Sequence, residues 1–456
     1  MASRLLSNTL QANVGLTKQF VRPMATAAKQ ASATRITNLP NGLTVATEEN
    51  PSAGVATVGV WIDAGSRNET ATTNGAANVL EHIALKGQAE KFEKIGGILN
   101  AQTQRDVTSF AAKTLKSNVG ASVEVLADLL QNTKIDAAAV DSVRADVLKQ
   151  QASLDADFEH VVFDHLHAIA FQGESLGRPA AGVKESVESL SADDILNFKK
   201  QNYGSDRIVL VGSGDVNHEE LVRLAEQKFG SLSAVGAAVQ KKAAFTGSEV
   251  RLRDDTLPEA HIALAVEGAP YLSKEYFDLL VMQAVVGSWD KTLGAAANLS
   301  SRLSTIVNEH HLANSFSSFT KGYKDTGLWG MYVATSNKDQ IDDFVHFLQK
   351  EWNRLSTSVT ASEVERAKQQ VMAGLLLSND STCQVASSIG SQVLASGKHL
   401  GPEELKATIS KISVDDIRKT AYKFLWDQEL AVVGHGPVEC LTDYTRVRGN
   451  MAYNRF

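Results

Sequence analysis

Cysteine is scarce in this sequence, whose 456 residues include only Cys383 and Cys440. Two cysteines so far apart exclude a miniature disulfide fold, a cysteine-based zinc module and an iron–sulfur centre. Proline is also scarce, with 8 residues, and this argues against a long disordered region. No apolar run reaches the roughly 18 residues that a membrane-spanning helix needs. We therefore expect a globular protein that, if it works at a membrane, is held there by something else.

An excess of positive charge is also missing. Lys and Arg total 45 against 52 Asp and Glu, which gives a net charge of -7 without any long basic run. This balance argues against a general nucleic-acid-binding protein. At roughly 150 residues per domain, the length predicts two to three domains.

Acidic residues are absent from the first 47 positions, which contain five basic residues among Ala, Ser, Thr, Gln and Leu. This composition is typical of a mitochondrial transit peptide, the alternative being a mobile basic tail. Arg22–Ala25 resembles a matrix-peptidase site, so we expect cleavage after Pro23 or Met24 and a transit peptide at residues 1–24. Loss of its three basic residues would change the net charge from -7 to about -10.

The chain contains a duplication. Ser191–Ile195 aligns without gaps with Ser413–Ile417, and Arg207–Val216 aligns with Glu429–Val438, both at an offset of 222 residues. A repeat of this length indicates a whole domain rather than a solenoid unit. Residues 236–250 are rich in small and polar residues and read as a linker. The predicted domains are therefore residues 25–235 and 251–456.

Each half shows strand and helix patterns. Pro40–Gly42 predicts a hairpin turn between two short strands, and alternating Val58, Val60 and Ile62 predict another strand. Apolar residues at helical spacing predict helices at residues 74–86, 122–131, 137–154 and 161–171. Capping-box patterns predict helix starts at Ser191, Thr360 and Ser413. We expect an α+β fold in which helices cover a sheet in each half.

Asn78, Glu81 and His82 form the most informative pattern. They stand at i, i+3 and i+4, on one face of the first predicted helix. Two histidines at the outer positions could bind zinc, with the carboxylate as general base, as in the H-x-x-E-H motif of inverted zinc peptidases. Here the first ligand position is Asn78, a neutral amide that zinc rarely selects.

Several blocks of sequence accompany this motif, namely Leu80–Gly87, Val162–Ala168, Gly247–Asp255 and Tyr323–Gly330. Together with the duplicated halves, they cover nearly the whole chain and resemble the mitochondrial processing peptidase family. The resemblance implies two similar α+β domains that face one another like the halves of a shell. It also places the family's third zinc ligand, a Glu, at Gln150.

Gln150 shares a helical stripe with Val143 and Val147, so we expect it to face inward. With amides at 78 and 150, His82 is the one strong zinc ligand left of three, and we expect neither a metal nor another cofactor. Asn78, Glu81, His82 and Gln150 are then vestigial positions, without a catalytic residue among them.

Other candidate motifs favour structural interpretations. His160, His165 and His167 resemble a metal cluster, but 165 and 167 point to different sides of a helix. Residues 309–311, Glu-His-His, are interpreted as surface residues. The turns at residues 212–214 and 434–436 resemble part of a dinucleotide loop, but their duplication favours a turn built into the domain.

Within the family, the resemblance is greatest to the core subunit 1 branch of the fungal cytochrome bc complex, respiratory complex III. It implies a chain that is no enzyme and serves as a scaffold, peripheral to the inner membrane on its matrix side. The partners implied are core subunit 2, cytochrome b, cytochrome c1, the Rieske protein and small subunits. Redox chemistry would then lie elsewhere, since no C-x-x-C-H haem motif occurs.

Two alternatives remain open at this point. One is an active beta-type zinc endopeptidase that cleaves presequences, alone or as a bifunctional core protein. The other is a module that binds presequences without cleaving them, since an acidic mature chain would suit basic helical peptides.

Overall fold

A computed structural model describes residues 33–236, 241–293 and 301–453. The predicted transit peptide at residues 1–24 lies outside this part of the chain. The first half contains β1 (Arg35–Asn38), β2 (Thr44–Glu49), β3 (Val55–Ile62), α1 (Ala76–Lys94), β4 (Ile98–Thr103), β5 (Thr108–Leu115), α2 (Val119–Gln131), α3 (Ala137–Asp155), α4 (Phe158–Ala170), α5 (Lys184–Ser189), α6 (Ala192–Asn202), β6 (Ile208–Gly214) and α7 (His218–Phe229).

The second half repeats this order without a counterpart of β1 and with a strand and a helix inserted after α8. It contains β7 (Ser248–Arg253), β8 (Ala260–Gly268), α8 (Lys274–Val286), β9 (Ser288–Asp290), α9 (Arg302–His310), β10 (Ser315–Gly322), β11 (Gly327–Thr335), α10 (Ile341–Thr357), α11 (Ala361–Ser378), α12 (Thr382–Ser396), α13 (Pro402–Ser410), α14 (Val414–Phe424), β12 (Ala431–Gly436) and α15 (Tyr444–Tyr453). Strand β7 begins inside the predicted linker, and its apolar alternation at Val250 and Leu252 is too short to have indicated a strand.

Each half forms a mixed sheet of six strands within the described residues. The order is β1-β2-β6-β3-β5-β4 in the first half and β7-β12-β8-β11-β10-β9 in the second. The pairs β2–β6 and β7–β12 are parallel, and the remaining neighbours are antiparallel. The predicted α+β fold is therefore confirmed, and β4 is left as an edge strand of the first sheet.

The duplication is visible in the structure. Helix α14 occupies the positions of α6 plus 222, and both helices begin with the predicted capping box. The strand that follows ends in a glycine with a left-handed backbone in each half, at Gly214 (φ +94°) and Gly436 (φ +100°). A side chain at Gly214 would overlap the carbonyl oxygen of Val55 at the start of β3, and one at Gly436 would overlap that of Glu259, just before β8. The repeated glycine turn thus belongs to the domain itself, as predicted.

The two halves exchange a helix. Helix α4 comes from the first half, but it packs on the second sheet, where Val162 and Leu166 join a cluster with Leu328 and Val433. Helix α12 is its counterpart in the duplication, and it packs in turn on the first sheet. There it buries Trp61, Val209 and Val211 beneath Val385, Ala386 and Ile389. Each sheet therefore has one face covered by its own half and one covered by the other half.

No helix in residues 33–236, 241–293 or 301–453 is long and apolar enough to cross a membrane.

Candidate functional site

Helix α1 carries the motif, and its first turn is held by a buried carboxylate. The side chain of Glu69 accepts hydrogen bonds from the backbone N–H groups of Gly75 (2.9 Å) and Ala77 (2.8 Å) and from the amide of Asn74 (2.7 Å). These bonds satisfy N–H groups that a helix leaves free at its start. Burial nevertheless raises the pKa of Glu69 to about 7.

Asn78, His82 and Gln150 meet at one oxygen atom. Asn78 Nδ2 donates to Gln150 Oε1 at 3.2 Å, and His82 Nε2 lies 3.0 Å from the same oxygen. The helical spacing placed Asn78 and His82 on one face, and the family resemblance placed Gln150 at the same site; the structure brings the three side chains together. The expected inward orientation of Gln150 is only half right, because the residue is exposed at the surface even though its amide turns towards α1. The buried position belongs to the next residue, Gln151.

Glu81 is buried and faces the edge strand β4. Its Oε2 accepts a hydrogen bond from Thr103 Oγ1 at 2.5 Å. Burial raises the pKa of Glu81, although the hydrogen bond from Thr103 opposes that rise. The carboxylate thus connects α1 with the end of β4.

The cluster does not fit the zinc that the motif implies. Its potential ligands are one imidazole and two neutral amides, and the amide of Asn78 presents its NH2 group to Gln150. An NH2 group is a donor and has no lone pair for a metal ion, and the set contains no anionic ligand. In the described part of the chain, no group of three or more His, Cys, Asp or Glu residues is placed to hold a metal ion.

Two other histidines considered as possible metal ligands, His160 and His167, contact different partners. His160 lies 3.3 Å from Asp164, and this hydrogen bond raises its pKa. His167 is buried between the Phe163 carbonyl and the Tyr323 hydroxyl, both at 2.6 Å, and burial lowers its pKa to about 3. His310 and His311 are exposed at the end of α9, in agreement with the surface interpretation.

A cavity of about 660 Å³ lies between the two halves, and spacing within the sequence did not reveal it. Helix α4, the start of α8, strand β10 and the β4–β5 and β10–β11 turns line it with charged and aromatic side chains, including Arg105, Phe163, Tyr276 and Lys321. These elements are far apart in sequence. The signal available was indirect: two of the blocks that carry the family resemblance, Val162–Ala168 and Tyr323–Gly330, contribute to its walls.

Comparison with known proteins agrees with this architecture. Residues 44–184 match the family described as Insulinase (Peptidase family M16), and residues 189–371 match the Peptidase M16 inactive domain. The chain is 46% identical over 467 aligned residues to the mitochondrial-processing peptidase subunit beta of Lentinula edodes, covering 99% of both chains. The chain belongs to the M16 peptidase family.

A second M16 relative is the probable mitochondrial-processing peptidase subunit beta of Schizosaccharomyces pombe, 48% identical over 96% of this chain and 98% of that protein. Among solved structures, a chain of complex III2 from Candida albicans, with Inz-5 bound, aligns with a TM-score of 0.86 and 34% identity. The alignment covers 92% of this chain and 99% of that one.

The names of these relatives contradict one expectation from the sequence. The inference that this M16 chain is no enzyme is wrong, because relatives 46% and 48% identical to it over almost their full length are named as peptidase subunits. The inference relied on Asn78 and Gln150. Those two residues bear on metal binding at one cluster, and they do not decide whether the chain as a whole takes part in a peptidase.

Proposed function

We propose that this chain is a mitochondrial, matrix-side subunit of complex III. The observation that carries the proposal is the match, over 92% of this chain, to a chain of the Candida albicans complex III2 structure. The donor set of the Asn78–His82–Gln150 cluster is consistent with a role of the subunit that does not depend on a metal ion held there. We further propose that residues 1–24 direct the chain to the matrix.

The partners we propose are core subunit 2, cytochrome b, cytochrome c1 and the Rieske protein. An affinity-tagged copy, purified in mild detergent from mitochondria of its own organism, should bring these subunits with it. Deletion of the gene should also abolish ubiquinol–cytochrome c reductase activity. Purification of the tagged chain free of cytochromes, with that activity intact in the deletion strain, would contradict the proposal.

A second candidate is the beta subunit of a mitochondrial processing peptidase. It is favoured by the names of the relatives at 46% and 48% identity. The purified assembly should then cleave a synthetic presequence peptide. Glu81→Gln and, as a matched exposed control on the same helix, Glu93→Gln would show whether such cleavage uses the motif. If an assembly that contains cytochrome b also cleaves the peptide, the chain serves both functions, as a subunit of complex III and of a processing peptidase.

A further inference from the structure

The loop at residues 178–182 lies against α1 and α3 and is held there by amide side chains. Asn78 Nδ2 donates to the carbonyl of Ala181 at 3.3 Å, and Gln151 Nε2 donates to the carbonyls of Ala181 and Gly182, both at 3.0 Å. Through Ala180, the same loop forms part of the wall of the cavity between the halves. The loop therefore connects the Asn78–His82–Gln150 cluster with that cavity.

Close packing of two glycines allows the loop to approach the helix. Gly182 has φ +85°, and a Cβ atom there would lie 2.5 Å from the Cα of Gly75, at the start of α1. Only glycine tolerates this backbone conformation together with such a short separation. The contact brings the loop carbonyls within reach of the amides on α1 and α3.

Asn78 is chemically suited to this place. Its NH2 group has two hydrogens, and it donates to two acceptors, Gln150 Oε1 and the carbonyl of Ala181. A single imidazole nitrogen carries at most one hydrogen, so it could not make both bonds. Gln150 is the matching partner, because its carbonyl oxygen faces both Asn78 Nδ2 and His82 Nε2.

We infer that the paired amides of Asn78 and Gln150, with Gln151, form a hydrogen-bonded latch that holds the 178–182 loop in place as a wall of the cavity. The latch occupies the position where the motif would otherwise place a metal ion. Its hydrogen bonds to the loop are donated by the side-chain amides of Asn78 on α1 and Gln151 on α3, so its strength depends on these groups.

Hydrogen–deuterium exchange on the full chain in its purified native assembly tests this inference. Asn78→Asp keeps the shape of the side chain but replaces the donor with an ionised acceptor that faces two oxygens. Because the variant loses the hydrogen bond to Ala181 and places a negative charge beside that carbonyl, exchange of the 178–182 segment should accelerate by about tenfold or more. Gln150→Glu keeps the acceptor and should leave that exchange near the wild-type rate.

Asn217→Asp is the matched control, because Asn217 is exposed and caps α7 through its oxygen, which Asp also provides. Unchanged exchange of the loop in folded Asn78→Asp would overturn the inference. If that variant does not fold, Gln151→Met decides, since it removes two donors to the loop without adding charge. Unchanged exchange of the loop in Gln151→Met would then overturn the inference.

Discussion

Arg67 in the first half and Asp325 in the second form a bidentate ion pair. Arg67 Nη1 lies 2.8 Å from Asp325 Oδ1, and Nη2 lies 2.6 Å from Oδ2. Only 2% of the Arg67 side chain is exposed, and a second carboxylate, Asp106, lies 3.4 Å from it. One cation therefore neutralises two carboxylates where the two sheets' loops meet.

Removing this cation should destabilise the protein strongly. Arg67→Met leaves Asp106 and Asp325 without their counter-charge in a mostly buried place, and we expect a loss of about 3 kcal/mol in the free energy of unfolding. Adding Asp325→Asn should recover part of that loss. Urea unfolding followed by tryptophan fluorescence measures the unfolding free energy of the single and the double variant. An unfolding midpoint of Arg67→Met equal to that of wild type would show that the ion pair is dispensable.

The exchange of α4 and α12 predicts that neither half folds alone. A fragment of residues 33–236 would expose the face of its sheet around Trp61 and Val211, together with the apolar stripe of α4. We expect residues 33–236 and 241–453 to be insoluble when expressed singly and soluble when co-expressed. A monomeric, cooperatively unfolding single fragment would contradict this expectation.

Sequence reasoning located local features well. The capping boxes at Ser191, Thr360 and Ser413 begin helices as predicted, because the signal and its partner are three residues apart. It missed the exchange of α4 and α12. An apolar stripe on a helix indicates that the helix is buried, but it does not indicate which sheet covers it.

The candidate site was likewise predicted from the sequence only in part. Helical spacing brought Asn78 and His82 to one face correctly, but the exposure of Gln150 depends on the end of α3 lying near the surface. The loop carbonyl of Ala181, which completes the cluster, has no signature in sequence because any residue supplies a carbonyl.

Glu69 should make stability depend on pH. Its pKa is about 7 in the folded protein and ordinarily 4.5, so the folded state binds the proton more tightly than the unfolded state. Its contribution to stability must therefore fall as pH rises from about 5 to about 7, by up to about 3 kcal/mol. Glu69→Gln lacks this titration, so wild type should lose stability relative to the variant between pH 5 and 8.

Thermal unfolding midpoints of wild type and Glu69→Gln across this pH range test that sign. Glu93→Gln, an exposed change on α1, serves as control and should follow wild type at every pH. A constant difference between wild type and Glu69→Gln would mean that Glu69 titrates alike in the folded and unfolded states.

The last prediction concerns zinc. In the wild-type chain, we expect no retained zinc at the Asn78–His82–Gln150 cluster, because two of its three ligand positions are neutral amides. The three side chains nevertheless converge, since Gln150 Oε1 lies within 3.2 Å of Asn78 Nδ2 and 3.0 Å of His82 Nε2. Asn78→His with Gln150→Glu should therefore create a site with two imidazoles and one carboxylate that binds about one zinc ion per chain.

Either substitution alone should recover little zinc, because the ligands act as a set. Asn78→His with Gln151→Glu is the matched control: it adds the same groups, but the side chain of residue 151 faces the 178–182 loop instead of the cluster. Metal content after dialysis, measured by mass spectrometry, separates these variants. One tightly held zinc in the wild-type protein, lost on His82→Ala, would show that amide substitution has not removed the metal site.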